Sequence, residues 1–326
     1  MSLNSLVDEH HLPPVGELTE LNKKYMPTFE NITIVNVDGR AGQLPSTCFA
    51  LQHSHAQMPG ARCLLISPER PAGLSPDIEH VRIVPMGWLE YSLFVTFVLH
   101  QFIKTDFALI IQNDGWVLNG NAFREEFLEF DYVGAPSAHG QVITEGKAEN
   151  VKLFDWTSHY SSQKQGRVNF HMNGGFSLRS QRFLKAPAEL GLDYRFRAPQ
   201  IIRHKNDDYA GRMKWNNGDA WEDYYHCVTN RSVMDAAGLR FAPLCIARHF
   251  SFEHYDPCVH RGVDLSQSFG HHASMRRFLS LEPLTVGYLW KECEVMGINF
   301  ENEIITAFRQ CGYTVLFEEQ MEAAGY

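Results

Sequence analysis

Asp114 stands directly after an apolar run, in the string LIIQNDGWVLNG. A carboxylate at the end of a buried strand can ligate Mg²⁺ or Mn²⁺, which take oxygen donors and often share them with substrate phosphates. The same residues also suit a plain Asp-Gly turn. Trp221-Glu222-Asp223 sets two acids in what reads as the first turn of a helix, where the helix dipole by itself favours negative charge. Adjacent acids on a helix point different ways, so one can hold structure while the other faces a ligand. Gly174-Gly175 permits close approach of a ligand to the backbone, with Ser177 or Arg179 supplying a polar contact, or it is an ordinary turn ahead of a strand. In Phe269-Gly270-His271-His272 an imidazole could ligate a cation, although in a chain with 16 histidines a given one is more often structural.

Positioning such groups requires strands and helices, and the hydrophobic pattern supplies them. Ile32 to Val37 is a β-branched run closed by Asp38-Gly39, and Leu64 to Ile66, Val81 to Val84 and Phe107 to Ile111 are further short apolar runs. Trp88 to Ile103 has helical spacing. This alternation predicts a mostly parallel sheet with helices on both faces, whose ligands bind beyond the carboxyl ends of the strands. After Tyr132-Val133, the stretch from Ser137 to Asn169 reads as a long surface loop. Asn173 to Leu178 reads as a short strand behind two glycines, Gln181 to Leu190 and Ala220 to Ala237 as helices, and Leu239 to Ile246 as strand segments. Leu284 to Met296 and Ile298 to Phe308 read as two helices. The expected organisation is an N-terminal extension over 1–30, an α/β domain over 31–282 and a C-terminal helical appendage over 283–326.

The 326 residues carry a formal net charge of −9 and no basic run longer than Arg276-Arg277, which argues against nucleic acid as a partner. An acidic chain that holds a phosphorylated ligand needs local positive charge, and a divalent cation is one source. The seven cysteines include no Cys-x-x-Cys pair and read as reduced thiols of a cytoplasmic protein. No apolar segment approaches the roughly 20 residues that span a bilayer.

Taken in order, LIIQNDGWVLNG, FDYVGAP, NGGFSLRS, WEDYYHCVTNR, LRFAPLCIARHFSFE and SFGHHA resemble an uncharacterised bacterial glycosyltransferase-like family, related in pattern to metal-dependent GT-A enzymes. The resemblance covers Leu109 to Ala273 well and Ile32 to Arg40 loosely, and implies a GT-A-like (Rossmann-like) fold that transfers a sugar from a nucleoside diphosphate sugar to a carbohydrate or other hydroxyl acceptor. It implies that Asp114 and His272 hold Mn²⁺ or Mg²⁺ on the diphosphate, with the usual Asp-x-Asp reduced here to Gln112-Asn113-Asp114. It implies an inverting reaction with Asp223, or failing it Glu222, as base. On this reading Asp38 and Arg40 hold the base and ribose, and Gly174-Gly175 line the sugar pocket. The alternatives are a retaining transferase and a non-catalytic carbohydrate- or nucleotide-sugar-binding protein.

Overall fold

The computed structural model describes residues 28–151, 167–194, 200–202, 212–214 and 221–326. β1 (Ile32–Val37) is buried along its whole length, as its β-branched residues require of a strand covered on both faces. It pairs in parallel with β2 (Arg62–Ser67) on one side and β4 (Phe107–Ile111) on the other, and β2 pairs in parallel with β3 (Glu79–Arg82). α1 (Pro45–Gln57) joins β1 to β2, and α2 (Trp88–Phe97) lies between β3 and β4. Ile32 and Ile34 pack with Cys48 and Leu51 of α1, while Val35 and Val37 pack with Val95 of α2, so the two helices cover opposite faces.

β5 (Gly115–Val117) follows β4 but leaves its sheet. β6 (Tyr132–Thr144), β7 (Lys147–Val151) and β8 (Arg167–Ser180) complete the main sheet in the order β3-β2-β1-β4-β8-β6-β7. Every pairing beyond β4 is antiparallel, so the expected mostly parallel sheet is a mixed one, parallel only from β3 to β4. The expected loop from Ser137 to Asn169 is corrected too. Its described part belongs to β6, β7 and β8, and residues 152–166 lie outside the described residues. β7, with the sequence KAENV, is solvent-facing and therefore lacks the apolar alternation that marks a half-buried strand. Gly174 and Gly175 sit inside β8 and not in front of it.

α3 (Gln181–Glu189) is the expected helix, begun by the Ser180 hydroxyl accepting from the Phe183 N–H. The segment from Tyr194 to Asn217 is described only in part, with β9 (Gln200–Ile202) and β10 (Arg212–Lys214) forming an antiparallel pair. The long helix expected from Ala220 is broken. A single turn, α4 (Glu222–Tyr224), widens into a π-helical turn at Tyr225–Thr229 and resumes as α5 (Arg231–Ala236). Strand segments expected over Leu239 to Ile246 reduce to one bridge between Tyr132 and Phe241. From Pro243 the chain forms α6 (Leu244–Phe250), which buries Leu244, Ala247 and Phe250 at helical intervals.

β11 (Ser251–Phe252) is followed by α7 (Pro257–His260) and then β12 (Gly270–His272), which pairs with both β11 and β5. The C-terminal stretch is not purely helical. β13 (Arg276–Leu281) and β14 (Leu284–Tyr288) form a hairpin, so the boundary expected at 282/283 falls in its turn. α8 (Glu292–Met296) and α9 (Glu301–Gln310) precede β15 (Thr314–Leu316), which pairs with β14, and α10 (Glu318–Ala324) follows. Leu284–Tyr288 is a strand because Thr285, Val286 and Tyr288 favour the pleated surface and are buried. Phe278, Phe308 and Tyr313 share one apolar cluster with Leu51 and Trp116 of the main body.

Candidate functional site

The chain runs from β1 through α1 to β2 in one direction, then returns through α2 to place β4 on the other side of β1. Such a reversal leaves a crevice beyond the carboxyl ends of β1 and β4. Asp38 follows β1, and Gln112 to Asp114 follow β4.

Around Asp114 three side chains converge. Because β12 pairs antiparallel with β5, His272 lies opposite Gly115, next to Asp114. His272 Nε2 is 3.2 Å from Asp114 Oδ1 and 3.0 Å from Gln112 Oε1. The Gln112 amide donates through Nε2 to the Tyr91 hydroxyl at 2.8 Å, which turns its oxygen toward His272. Arg277 Nη1 approaches Asp114 Oδ2 at 3.4 Å. Burial works against the Asp114 carboxylate, but the charges of His272 and Arg277 hold its pKa below the ordinary value. Burial likewise pulls the His272 imidazole down, and Asp114 more than offsets it, leaving the pKa raised.

The acidic pair sits across β8. Glu222 is buried and takes the Arg179 guanidinium at 2.9 Å, with Arg179 itself wholly buried. Burial pushes the Glu222 carboxyl up and Arg179 only partly restores it. Asp223 turns elsewhere: Oδ2 accepts the Gly174 N–H at 3.0 Å and lies 3.3 Å from His171 Nε2, and Oδ1 accepts the Tyr224 N–H at 2.7 Å. Against the burial that opposes its charge, His171 and those backbone donors hold its pKa well below the usual carboxylate range.

The two glycines serve these side chains. A Cβ on Gly174 would stand 2.2 Å from Glu222 Oε1, and one on Gly175 would stand 2.3 Å from His272 Nε2 and 2.8 Å from Gln112 Oε1. The space expected for a ligand is thus filled by the protein's own polar groups.

A cleft of about 680 Å³ opens over this layer, walled by Gln112, Gly175, Glu222, Asp223 and His272 among others. Asp114, Gly174 and the half-buried Asn113 are not among its wall residues. Asp38 and Arg40 do not wall it either. Both Asp38 oxygens are taken, by the Arg40 guanidinium at 2.6 and 2.9 Å and by the Thr47 hydroxyl at 2.8 Å. Ser177 is fully buried and donates to the Gly174 carbonyl at 2.8 Å. Sequence reasoning missed His171, Asn173 and Glu253, together with the exposed Trp88 and Trp221 on the rim. The alternation His171, Asn173, Gly175 along one strand face was the available signal, hidden by reading the preceding segment as a loop.

Gln112 Oε1, Asp114 Oδ1 and His272 Nε2 are the atoms here that could hold a cation, and their separations of 3.0 and 3.2 Å equally suit one imidazole nitrogen shared between two oxygens. Asp114 Oδ1 is buried and makes no well-aligned hydrogen bond, although His272 stands beside it. Among the described residues no three His, Cys, Asp or Glu side chains converge for a metal, so the third donor would be an amide oxygen.

Sheet and cleft together define a mixed α/β protein with a buried carboxylate–imidazole cluster at its strand ends. The chain belongs to the DUF5672 family, described as protein of unknown function, whose profile matches residues 91–272. No curated protein matches it. Among the described residues no helix is long and apolar enough to cross a membrane.

Proposed function

We propose that the chain is a GT-A-like glycosyltransferase that moves a sugar from a nucleoside diphosphate donor to a carbohydrate or other hydroxyl acceptor, with inversion. The observation that carries this reading is one cleft at the end of β4 where two different chemistries meet. Oxygen and nitrogen donors gather at Gln112, Asp114 and His272, and an ionised carboxylate stands at Asp223. Gln112, Asp114 and His272 would hold Mn²⁺ or Mg²⁺, and the imidazole nitrogen favours the transition ion. When bound, such a cation neutralises the leaving diphosphate. Arg277 steadies the outer oxygen of Asp114, and Tyr91 fixes the amide of Gln112. The Asp223 side of the cleft receives the proton that the acceptor hydroxyl loses. Incubating the protein with a panel of sugar nucleotides and hydroxyl acceptors and measuring released nucleoside diphosphate tests the reading. Binding without release would support a non-catalytic nucleotide-sugar-binding protein, the reading that an amide at position 112 favours.

Two expected results follow. Mn²⁺ and UDP together should raise the melting temperature more than either alone, because the diphosphate completes a ligand set that the protein only half supplies. Equal shifts with and without Mn²⁺ in calorimetry would remove the cation from the site. Gly175→Ala should weaken Mn²⁺ binding by about 10- to 100-fold, as loss of a supporting contact around metal ligands typically does. Its added Cβ must displace His272 or Gln112. Wild-type Mn²⁺ affinity in that variant, read by titration, would exclude those two side chains as ligands.

A further inference from the structure

We infer that the acceptor's proton reaches a Ser137–His171–Asp223 relay and not the Asp223 carboxylate directly, an assignment that rests on the transferase reading. All three residues wall the cleft. His171 Nε2 lies 3.3 Å from Asp223 Oδ2, and its Nδ1 lies 3.1 Å from Ser137 Oγ. Ser137 comes from β6, in the interval between Pro136 and Gly140 where pairing with β8 is irregular, a common place for a strand to aim a side chain at a site.

The direction of each contact follows from donor and acceptor chemistry. An ionised Asp223 can only accept, so in a neutral imidazole the hydrogen resides on Nε2 and the lone pair on Nδ1. The Ser137 hydroxyl also accepts the His139 N–H at 3.2 Å, and it donates its own proton to Nδ1. Asp223 has both oxygens occupied by backbone N–H groups, which makes it a weak proton acceptor and a firm anchor. The acidic groups facing His171 are Asp223, Glu222 and Glu253. Burial disfavours the imidazolium, yet Asp223 foremost among these acids stabilises it.

In the transfer step the acceptor O–H bond breaks and its proton passes to Ser137 Oγ, while the Ser137 proton passes to His171 Nδ1. The acceptor oxygen forms its bond to the anomeric carbon. The bond from that carbon to the diphosphate breaks, and its electron pair leaves on the diphosphate oxygen. Imidazolium then stands beside the Asp223 carboxylate. Ser137 is the group that meets the acceptor, and His171 and Asp223 act through it.

The test combines kinetics with a measurement that needs no substrate. His171→Gln should lower kcat by about 100-fold or more with donor KM unchanged. It should also abolish the acidic limb of the pH–rate profile, along which the wild-type rate rises with pH as the imidazole loses its proton. Ser137→Ala, the milder substitution, should lower kcat in the same direction and keep the limb. In wild-type protein, nitrogen NMR should place the His171 proton on Nε2. Retention of rate and acidic limb by His171→Gln in an actively transferring preparation overturns the relay, and so does a proton found on Nδ1. Absence of nucleoside diphosphate release by the wild type with every donor instead overturns the transferase reading, and the relay with it.

Discussion

Asp223→Asn should cut sugar transfer by about 10² to 10⁴ while leaving donor affinity unchanged, the range that general-base machinery ordinarily supplies. The carboxylate anchors His171 on the wall of the cleft, so its charge matters most when the acceptor proton moves. Glu222→Gln is the informative comparison. Glu222 is buried against Arg179, and its neutralisation should show as lost stability and not as a lost chemical step. Rates are therefore compared at a temperature where both variants are folded. Full activity in Asp223→Asn would remove this residue from the reaction, and loss confined to Glu222→Gln would exchange the two roles.

Arg179→Met should destabilise the fold by about 3 to 5 kcal/mol, because removing one member of a buried ion pair strands the other. Arg179 does more than pair with Glu222: its Nε donates to Ser177 Oγ at 3.0 Å, and its guanidinium lies 4.9 Å from the centre of the Tyr132 ring. The pH dependence has a defined sign. Burial already raises the Glu222 pKa in the folded protein, and losing Arg179 raises it further, so protonation of Glu222 favours the folded state. The stability this contributes is present below the carboxyl's unfolded pKa and fades as pH rises through the folded value. The variant should therefore be closer to wild type in urea unfolding at about pH 5 than at about pH 8. A deficit independent of pH would show that Glu222 is not the stranded group. Adding Glu222→Gln to Arg179→Met should recover part of the loss.

Much of the sheet was legible because β1 and β4 are buried on both faces, and their sequences are near-continuous apolar runs bounded by Asp38 and Gln112. The acidic pair was also visible as a pair, and its members do take different partners, Arg179 for Glu222 and His171 for Asp223. What sequence could not give was the third dimension of β8. Its long antiparallel run joins His171 to the glycines, yet it follows solvent-facing strands that carry no apolar rhythm. The meeting of Gln112 with His272 depends on β12 pairing with β5 across 160 positions of chain, which no local pattern encodes. The second strand of the C-terminal hairpin was read as helix because Leu284, Val286 and Tyr288 allow either period over so short a stretch.

The position of β1 at the middle of the main sheet bears on how this protein can be handled in pieces. The interval 91–272 contains β4, β6, β7 and β8 but neither β1 nor β2. A fragment cloned to those limits would present β4 as a bare edge, with the N–H and C=O groups that now bind Ile32 to Val35 left open to other chains. It would also lose Tyr313, whose hydroxyl accepts from the Trp116 indole at 3.1 Å and lies 2.8 Å from His53 Nε2. The shared segment marks where the family profile matches, whereas the strands that pair and pack as one body run from β1 through β15.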